Sequence, residues 1–387
     1  MYRKKTVLNY NIIFLLIVLC CISCLAIYSA QKTGQYKENF VLQQLIWYGV
    51  GTGIIILVMR IDTEQLYRLT WFLYGLNLFI LIALVVSPEA IAPTRNGAKS
   101  WFVLPGLGSI QPSEFMKMTL IFTLSRINVV HNEKFRVRTI ESDIKLLLKL
   151  TVFTIIPIGL IMLQPDMGTS LVLIAIFLGL VFISGISWKI LTAVFGTVGA
   201  IFGTAFYMVL YHAEILKDYF GVQPHQFNRI YSWINPEEYA SSLSYNYMRT
   251  ITAIGSGTVS GKGFGQGVVY VPEKHSDFIF GAIGEDYGFI GSSIVISVFM
   301  LLIYSIVSIV LRSKDDFSKY ICTGVIAYIV FHTFQNIGMD IGLLPITGIP
   351  LPFISYGGSS LMGTMLAMGI ILKISSETDS FMFSNDS

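Results

Sequence analysis

The sequence has few charged residues, and this shortage excludes whole classes of protein. Asp, Glu, Lys and Arg make up 13% of the 387 residues, about half of the share that is usual in soluble domains. Hydrophobic residues make up 54%, and the mean hydropathy is +0.68. The chain is too apolar for a soluble domain and too long for a single anchor, so we interpret it as a polytopic membrane protein.

The sequence is also poor in residues that bind metals or form disulfides. It has five histidines and four cysteines, without the spacing of a metal site. The segment Cys21-x-x-Cys24 has the spacing of a redox motif, but no soluble strand–helix context surrounds it, which predicts a packing role. Only Glu273, His275 and Asp277 remain as a minimal set for a hard cation such as Mg or Mn.

Apolar runs that are long enough to cross a membrane occur ten times. They lie near residues 12–28, 45–59, 69–86, 112–130, 146–163, 169–183, 190–210, 283–311, 320–339 and 353–372. The first run has the basic start of a signal peptide, but no small-residue cleavage site follows it, which predicts a retained helix. The fold predicted is all-α, with ten transmembrane helices.

The distribution of basic residues predicts the orientation of these spans. Arg3, Lys4 and Lys5 precede the first span and predict a cytoplasmic N-terminus, and an even number of spans places the C-terminus on the same side. The loops that are then cytoplasmic carry more Lys and Arg than the outer loops. The basic segment 126–149 is expected to contact anionic membrane lipids. Orientation in the membrane alone requires such charge beside the spans, so it does not indicate a nucleic-acid partner.

One loop is too long to be a simple connection. Residues 211–279 form a large extracellular loop between helices seven and eight, which we interpret as a functional subdomain within a single domain of residues 1–387. Its stretch AIGSGTVSGKGFGQG (253–267) lacks the spacing and the Ser or Thr of a P-loop. Two alternatives remain: backbone N–H groups beside Lys262 hold a phosphate, or the glycines form a hinge.

Asp277 closes this loop within the segment VPEKHSDFIF (271–280). A carboxylate is costly in hydrocarbon and ordinary on a loop, so its meaning depends on the topology. The charge bias places Asp277 on the outer surface of the membrane. This position makes it a candidate acid or base.

Span four begins with a charged pair, Glu114 and Lys117, directly after Gln111-Pro112-Ser113. The two residues are three positions apart and share one helix face. Each would cost about 2.5 to 3.5 kcal/mol if it stood alone in the hydrocarbon centre, so we expect them to pair or to face water. They form either a structural pair at a helix end or the lining of a substrate cavity.

Two further polar segments lie at outer ends of spans. Asp166 in QPDMGT (164–169) is expected to cap the helix that follows, and it is also a candidate site residue. The segment GIPLPFISYGGSS (348–360) combines Pro and Gly with hydroxyl groups. Such irregular backbone is tolerated at membrane depth only where it is buried or lines water, which favours a re-entrant or cavity-facing segment over a plain helix start. Together these outer polar groups predict a site for an amphiphilic substrate whose tail stays in lipid.

Six motifs occur together along the chain. They are NGAKSW (96–101), IQPSEFMK (110–117), QPDMGT (164–169), AIGSG (253–257), PEKHSDFIF (272–280) and PITGIPLPFISYGGSS (345–360). With these motifs in this order over nearly its whole length, the chain resembles the SEDS family (shape, elongation, division and sporulation), the RodA, FtsW and SpoVE proteins of bacterial cell-wall synthesis. The HSDFIF motif, together with SPEAIAP and GAKSWF, is most similar to the RodA branch.

The resemblance implies a peptidoglycan glycosyltransferase of the bacterial cytoplasmic membrane that polymerises lipid II on the extracellular face. The essential loop aspartate of the family corresponds to Asp277, which would act as general base, and its functional glutamate and lysine correspond to Glu114 and Lys117. Other motif positions supply candidates for substrate binding: Asp166, His275, Ser355, Tyr356 and Ser359. The partner implied is a class B penicillin-binding protein, a transpeptidase.

The leaving pyrophosphate needs neutralising charge, which the family does not assign. We infer Arg229 and Lys262 for this role, with a divalent cation (Mg or Mn) as the alternative. Two other functions compete with polymerisation: a lipid II flippase, and a noncatalytic scaffold for the transpeptidase. A flippase would need polar groups through both leaflets, whereas we expect the cytoplasmic halves of the spans to be apolar. A division or sporulation polymerase is the alternative within the family.

Overall fold

The computed structural model describes residues 8–32, 38–94, 97–104, 108–212, 231–237 and 244–384. The main helices in chain order are α1 (Tyr10–Lys32), α2 (Phe40–Val58), α3 (Thr63–Val86), α4 (Pro112–Lys134), α5 (Ile140–Met162), α6 (Met167–Ile183), α7 (Trp188–Tyr211), α8 (Tyr245–Gly257), α9 (Ile279–Arg312), α10 (Asp316–Asp340) and α11 (Gly358–Ser384). Two short strands, β1 (Phe102–Leu104) and β2 (Gly108–Ile110), precede α4.

Eight of these helices are long and apolar enough to cross a membrane, so the protein is a multi-pass membrane protein. They are α1, α2, α3, α5, α7, α9, α10 and α11. Helix α6 is apolar but shorter, and α4 is less apolar than the rest. The ten-span topology with both termini in the cytoplasm therefore stays a prediction.

Helix α4 is polar because other helices shield it from lipid. It packs against α3, α5, α6, α10 and α11, and nearly all of its first four turns are buried. Pro112 occupies the first turn, where its missing N–H costs nothing. A helix in the centre of a bundle can carry charged side chains that a lipid-facing helix cannot.

The second half of α4 contradicts one expectation from the sequence. We expected the cytoplasmic halves of the spans to be apolar, yet Thr123, Ser125, Asn128 and His131 are buried there. The Thr123 hydroxyl donates to the carbonyl four residues before it at 2.8 Å, and the Asn128 amide does the same at 3.0 Å. These bonds stay within the helix, which lets it carry polar groups at low cost.

Strands β1 and β2 form an antiparallel pair that an all-α prediction missed. Phe102 lies opposite Ile110, and Leu104 lies opposite Gly108. The second strand leads directly into Gln111, the N-cap of α4. The hairpin therefore fixes where the buried first turn of α4 begins.

Helix α9 is broken at Gly288, and the backbone of the long loop forms hydrogen bonds with the groups that the break leaves unpaired. Gly288 has φ 62°, a conformation open mainly to glycine. The break frees backbone groups on both sides, and the loop pairs with them: Lys262 N donates to Glu285 O at 3.0 Å, and Phe289 N donates to Thr258 O at 3.0 Å. The glycine-rich stretch 253–267 thus docks on α9, and Lys262 N does not face a phosphate.

The subdomain predicted over residues 211–279 is described only in part. Its helix α8 packs against α9 and α10, so the described portion lies on the bundle. Arg229 lies outside the described residues.

Candidate active site

A cavity of 1090 Å³ with many polar side chains in its wall lies among α2, the strand pair, the first turns of α4, α6 and α11, the middle of α10 and the segment that follows α10. It collects side chains from segments far apart in the sequence. Of the residues predicted from the sequence, its wall contains Glu114, Lys117, Asp166, Asp277, Tyr356 and Ser359. Asp277 and the Glu114–Lys117 pair therefore open onto one cavity.

Asp277 is held at the cavity by a hydrogen bond to its backbone carbonyl. The Asn336 side-chain amide donates to the carbonyl of Asp277 at 2.7 Å and to that of Ile349 at 2.8 Å. The carboxyl group is surrounded by protein and only partly exposed to the cavity. Loss of hydration, together with the smaller effect of the negative charge of Glu273, raises the pKa of Asp277 to about 6. A carboxylate with such a pKa suits a base that works near neutral pH.

Glu114 and Lys117 form a buried ion pair that also involves a histidine. The Lys117 ammonium lies 2.7 Å from Glu114 Oε2, and the two side chains are 1% and 4% exposed. The same ammonium lies 3.2 Å from His332 Nε2 and 5.2 Å from the centre of the Tyr328 ring. The sequence left two alternatives, and the geometry combines them: the residues pair with each other and line the cavity.

Asp166 caps α6, as predicted, and lies on the cavity wall as well. Its Oδ1 accepts from Thr169 N at 3.0 Å, and its Oδ2 accepts from the Gln111 amide at 2.9 Å. Ser359 Oγ accepts from Gln111 N at 3.0 Å and donates to Ser109 O at 3.2 Å. These bonds join the hairpin, α6 and α11 at the cavity rim.

Tyr356 connects the cavity to α2. Its hydroxyl donates to Gln43 Oε1, and its ring lies 4.7 Å from that of Phe40. Trp47 lies one turn beyond Gln43 and also lines the cavity. It packs on Gly358, where an added Cβ would come within 2.5 Å of the indole.

Two predicted residues lie behind the cavity wall. Ser355 Oγ donates to Ser276 O at 2.7 Å and accepts from Leu351 N at 2.8 Å, so it supports the turn that carries Asp277. The His275 ring stacks on Phe40 with 4.2 Å between ring centres and 7° between planes. Neither residue is among those that line the cavity, and the contacts of both support the loop that carries Asp277.

Lys262 is not placed for the role inferred from the sequence. Its ammonium lies 2.7 Å from Glu285, whose carboxylate also binds Lys274 at 2.6 Å, and it does not line the cavity. A buried carboxylate without a partner would be strongly destabilising, and the ammonium groups of Lys262 and Lys274 compensate the charge of Glu285. In the described lining Lys117 is the single lysine, and no arginine joins it.

The acidic set proposed for a cation does not come together. Glu273 and Asp277 line the cavity, but His275 lies behind the wall against Phe40. Across the described ranges, no three His, Cys, Asp or Glu side chains are grouped in a way that suits a metal ion. The residues present therefore do not fit the proposed Mg or Mn site.

A second cavity, of 500 Å³, is almost entirely apolar and adjoins the polar one. It lies between α2, α3, α4 and α11 and includes Leu73, Phe115, Phe122 and Ile370. Ile110 lines both cavities, and the neighbours Glu114 and Phe115 face different ones. The site thus has a chamber with polar residues in its wall and, beside it, an apolar groove.

Sequence reasoning missed several residues of this site. His332 and Asn336 are polar residues in the apolar run 320–339, and that contrast was the available signal. Gln43 and Trp47 stand at a helical spacing of four near the start of α2. Gln111 precedes Pro112 and gave no signal beyond a helix start.

The chain is similar in sequence to one family of known proteins over nearly its whole length. A model of the family of cell cycle proteins FtsW/RodA/SpoVE matches residues 5–380. The probable peptidoglycan glycosyltransferase FtsW of Trichlorobacter lovleyi is 31% identical, over 95% of this chain and 93% of its own length. The stage V sporulation protein E of Bacillus subtilis is also 31% identical, over 97% of this chain and 99% of its own length.

Solved structures share the fold. A chain from a peptidoglycan synthase complex superposes with a TM-score of 0.76 at 23% identity, covering 96% of this chain and 98% of that one. The rod shape determining protein RodA of Thermus thermophilus superposes with a TM-score of 0.68 at 23% identity, covering 96% and 97%. The chain belongs to the FtsW/RodA/SpoVE family, that is, the SEDS family.

Proposed function

We propose that the protein is a peptidoglycan glycosyltransferase that polymerises lipid II into β-1,4-linked glycan strands. The observation that carries the proposal is the single cavity that holds Asp277, Glu114 and Lys117. Relatives over nearly the full length of the chain are named peptidoglycan glycosyltransferases, which supports the same activity.

Asp277 is the proposed general base. In the reaction the 4-hydroxyl oxygen of the acceptor GlcNAc forms a bond to C1 of the donor MurNAc, while the bond from C1 to the lipid pyrophosphate breaks. The hydroxyl proton passes to the Asp277 carboxylate, and attack opposite the leaving group inverts C1 to give the β linkage. Proton removal by a positioned base contributes about 10² to 10⁴ in rate.

Lys117 is the proposed cation for the leaving pyrophosphate. Its charge is exposed only to the cavity, where low hydration strengthens its attraction for developing negative charge. Glu114 holds the ammonium in place through their ion pair. This role replaces the one inferred for Lys262, which Glu285 already binds.

The adjoining apolar groove supports an amphiphilic substrate. A polar head of lipid II fits the 1090 Å³ chamber, and the first part of its polyprenyl tail fits the 500 Å³ groove. Burying apolar surface stabilises the complex by roughly 25 cal/mol per Å². We propose that the chamber opens on the extracellular face of the bacterial cytoplasmic membrane, as the charge bias predicts.

The place of the enzyme in the cell is a further part of the proposal. The motifs around residues 88–102 and 275–280 favour elongation and cell shape, with division or sporulation as the alternative. We propose a class B penicillin-binding protein as partner, because a strand made here needs a transpeptidase to crosslink it. A chain with this fold comes from a peptidoglycan synthase complex that coordinates polymerization and crosslinking.

A flippase remains the competing function, and the polar residues along α4 are the observation that favours it. Ser125, Asn128 and His131 continue the polar face beyond Lys117, and Thr123 is buried on another side of the helix. However, the cavity wall ends before them, and Thr123 and Asn128 bond to carbonyls of their own helix. This arrangement favours a site open to one side.

The experiment that tests the proposal uses purified protein with labelled lipid II, with and without the partner transpeptidase. Wild type is expected to make glycan chains, and Asp277→Ala is expected to make none. A matched assay in liposomes follows the movement of lipid II between leaflets. Lipid movement without polymer, even with the partner present, would reject the polymerase in favour of the flippase.

A further inference from the structure

His332 lies in the cavity wall, and the mechanism above gives it no role. It is in the middle of α10 and is 1% exposed. Its Nδ1 lies 3.2 Å from the Pro350 carbonyl oxygen, and its Nε2 lies 3.2 Å from the Lys117 ammonium. A carbonyl only accepts and an ammonium only donates, so Nδ1 carries the hydrogen and Nε2 accepts. The ring is therefore neutral, with a defined tautomer.

These contacts determine where the Lys117 ammonium points. The group has three N–H donors in a tetrahedral arrangement. One bonds to Glu114 Oε2 at 2.7 Å and a second to His332 Nε2 at 3.2 Å. With two directions taken, the third is fixed; Lys117 lines the cavity, and its ammonium also lies 5.2 Å from the centre of the Tyr328 ring.

We propose that His332 is a positioning residue that aims the third N–H of Lys117 at the anionic leaving group of the substrate. The proposal rests on the proposed polymerase function, and it identifies His332 as a residue that holds the Lys117 ammonium in a fixed orientation. The side chain acts through Lys117 and does not touch the reacting atoms.

The same helix face also holds the proposed base. Asn336, one turn after His332, donates to the carbonyls of Asp277 and Ile349. His332 bonds to the next carbonyl in that segment, Pro350. Helix α10 thereby sets the position of Lys117, the proposed cation, relative to Asp277, the proposed base.

Two variants separate positioning from packing. His332→Gln keeps an oxygen that can accept from Lys117 and an amide that can donate to Pro350, whereas His332→Leu keeps the volume and loses both bonds. We expect His332→Leu to lower kcat for lipid II polymerisation by roughly 10- to 100-fold. Its KM should stay within about twofold of wild type. His332→Gln should recover most of the lost kcat.

Three kinetic results would overturn the proposal. They are a kcat for His332→Leu within about twofold of wild type, a loss that lies in KM alone, and a His332→Gln variant as slow as His332→Leu at equal thermal stability. If wild type itself makes no polymer, the proposed function fails, and the ring is then tested without activity.

That second test is spectroscopic. Histidine labelled with ¹⁵N in the wild-type protein reports the tautomer of each ring, and the His332 signals are those that vanish in His332→Gln. We expect hydrogen on Nδ1 and an Nε2 signal that shifts in Lys117→Met. Hydrogen on Nε2, a charged ring, or no shift in Lys117→Met would contradict the proposed geometry, whether or not His332→Leu folds.

Discussion

The Asn336 side-chain amide donates to the backbone carbonyl of Asp277 at 2.7 Å. This hydrogen bond joins helix α10 to the loop residue that is the proposed base. The bond leaves the Asp277 carboxyl free to face the cavity, since only the backbone is engaged. The position of this loop residue is therefore set by α10. A loop residue held in this way can be replaced by a residue of the same shape without moving the backbone.

Replacing Asp277 by Asn should remove the base and keep the shape. We expect polymerisation to fall by about 10²- to 10⁴-fold, because an amide cannot take the hydroxyl proton. Binding of lipid II should change little, and a binding assay in detergent beside the rate assay checks this. Ser297→Ala, at an exposed position of α9 outside the cavity, is the control and should retain most activity. An active Asp277→Asn variant would contradict the assignment.

The pH dependence of the reaction should follow the Asp277 carboxyl. Burial raises its pKa to about 6, so below that pH most molecules carry a protonated group that cannot accept a proton. We expect kcat/KM to rise with pH through about 6 and to level off above 7. Glu273→Gln removes the negative charge that adds to the shift, so the rise should move to lower pH. A rate that is independent of pH between 5 and 7 would contradict the role of Asp277.

The charged pair on α4 should affect stability and activity separately. Glu114→Gln leaves the Lys117 ammonium buried without its counter-charge, which costs about 3 to 5 kcal/mol. Adding Lys117→Met removes the second charge, so the double variant should recover most of the thermal stability. Activity should fall in Glu114→Gln, because the Lys117 ammonium loses the carboxylate that holds it, and should stay lost in the double variant, because the cation for the pyrophosphate is then missing. A double variant that polymerises lipid II normally would show that the pair is only structural.

The sequence predicted those parts of the molecule that depend on local patterns. Apolar runs located most of the helices, since a span must satisfy its backbone internally. The spacing of Glu114 and Lys117 predicted their pairing, and the position of Asp166 predicted its cap; both are confirmed. The grouping of these residues at one cavity agrees with the convergence expected from their outer positions.

The parts that failed depend on contacts between distant segments. The positive charge of Lys262 suggested a phosphate contact, but its partner Glu285 lies on α9 beyond the loop. The bonds from His332 to Lys117 and from Asn336 to Asp277 each join different elements, and no local pattern contains them. The helix break at Gly288 is likewise defined by its fit to residues 258–261.

That fit makes Gly288 a sensitive position. An added Cβ would lie 2.4 Å from Gly261 N, and φ of 62° strains any other residue. We expect Gly288→Ala to lower the thermal midpoint and to lower polymerisation, because the loop that ends at Asp277 docks there. Gly75→Ala on α3 is the matched control, since nothing lies within 4 Å of its added Cβ. Equal stability of the two variants would refute the tight docking.

The apolar groove gives a prediction about the lipid tail. Leu73 lines the groove, so Leu73→Trp should fill part of it and raise KM for lipid II with a full-length polyprenyl chain several-fold. The same variant should barely change KM for an analogue with a short chain, which does not reach the groove. Leu76→Trp is the control, because Leu76 is 43% exposed on the same helix and lies outside the groove. The measurement is the ratio of KM values for the two substrates in each variant. If Leu73→Trp raises both values equally, the groove does not hold the tail, and the substrate must leave the polar chamber by another side.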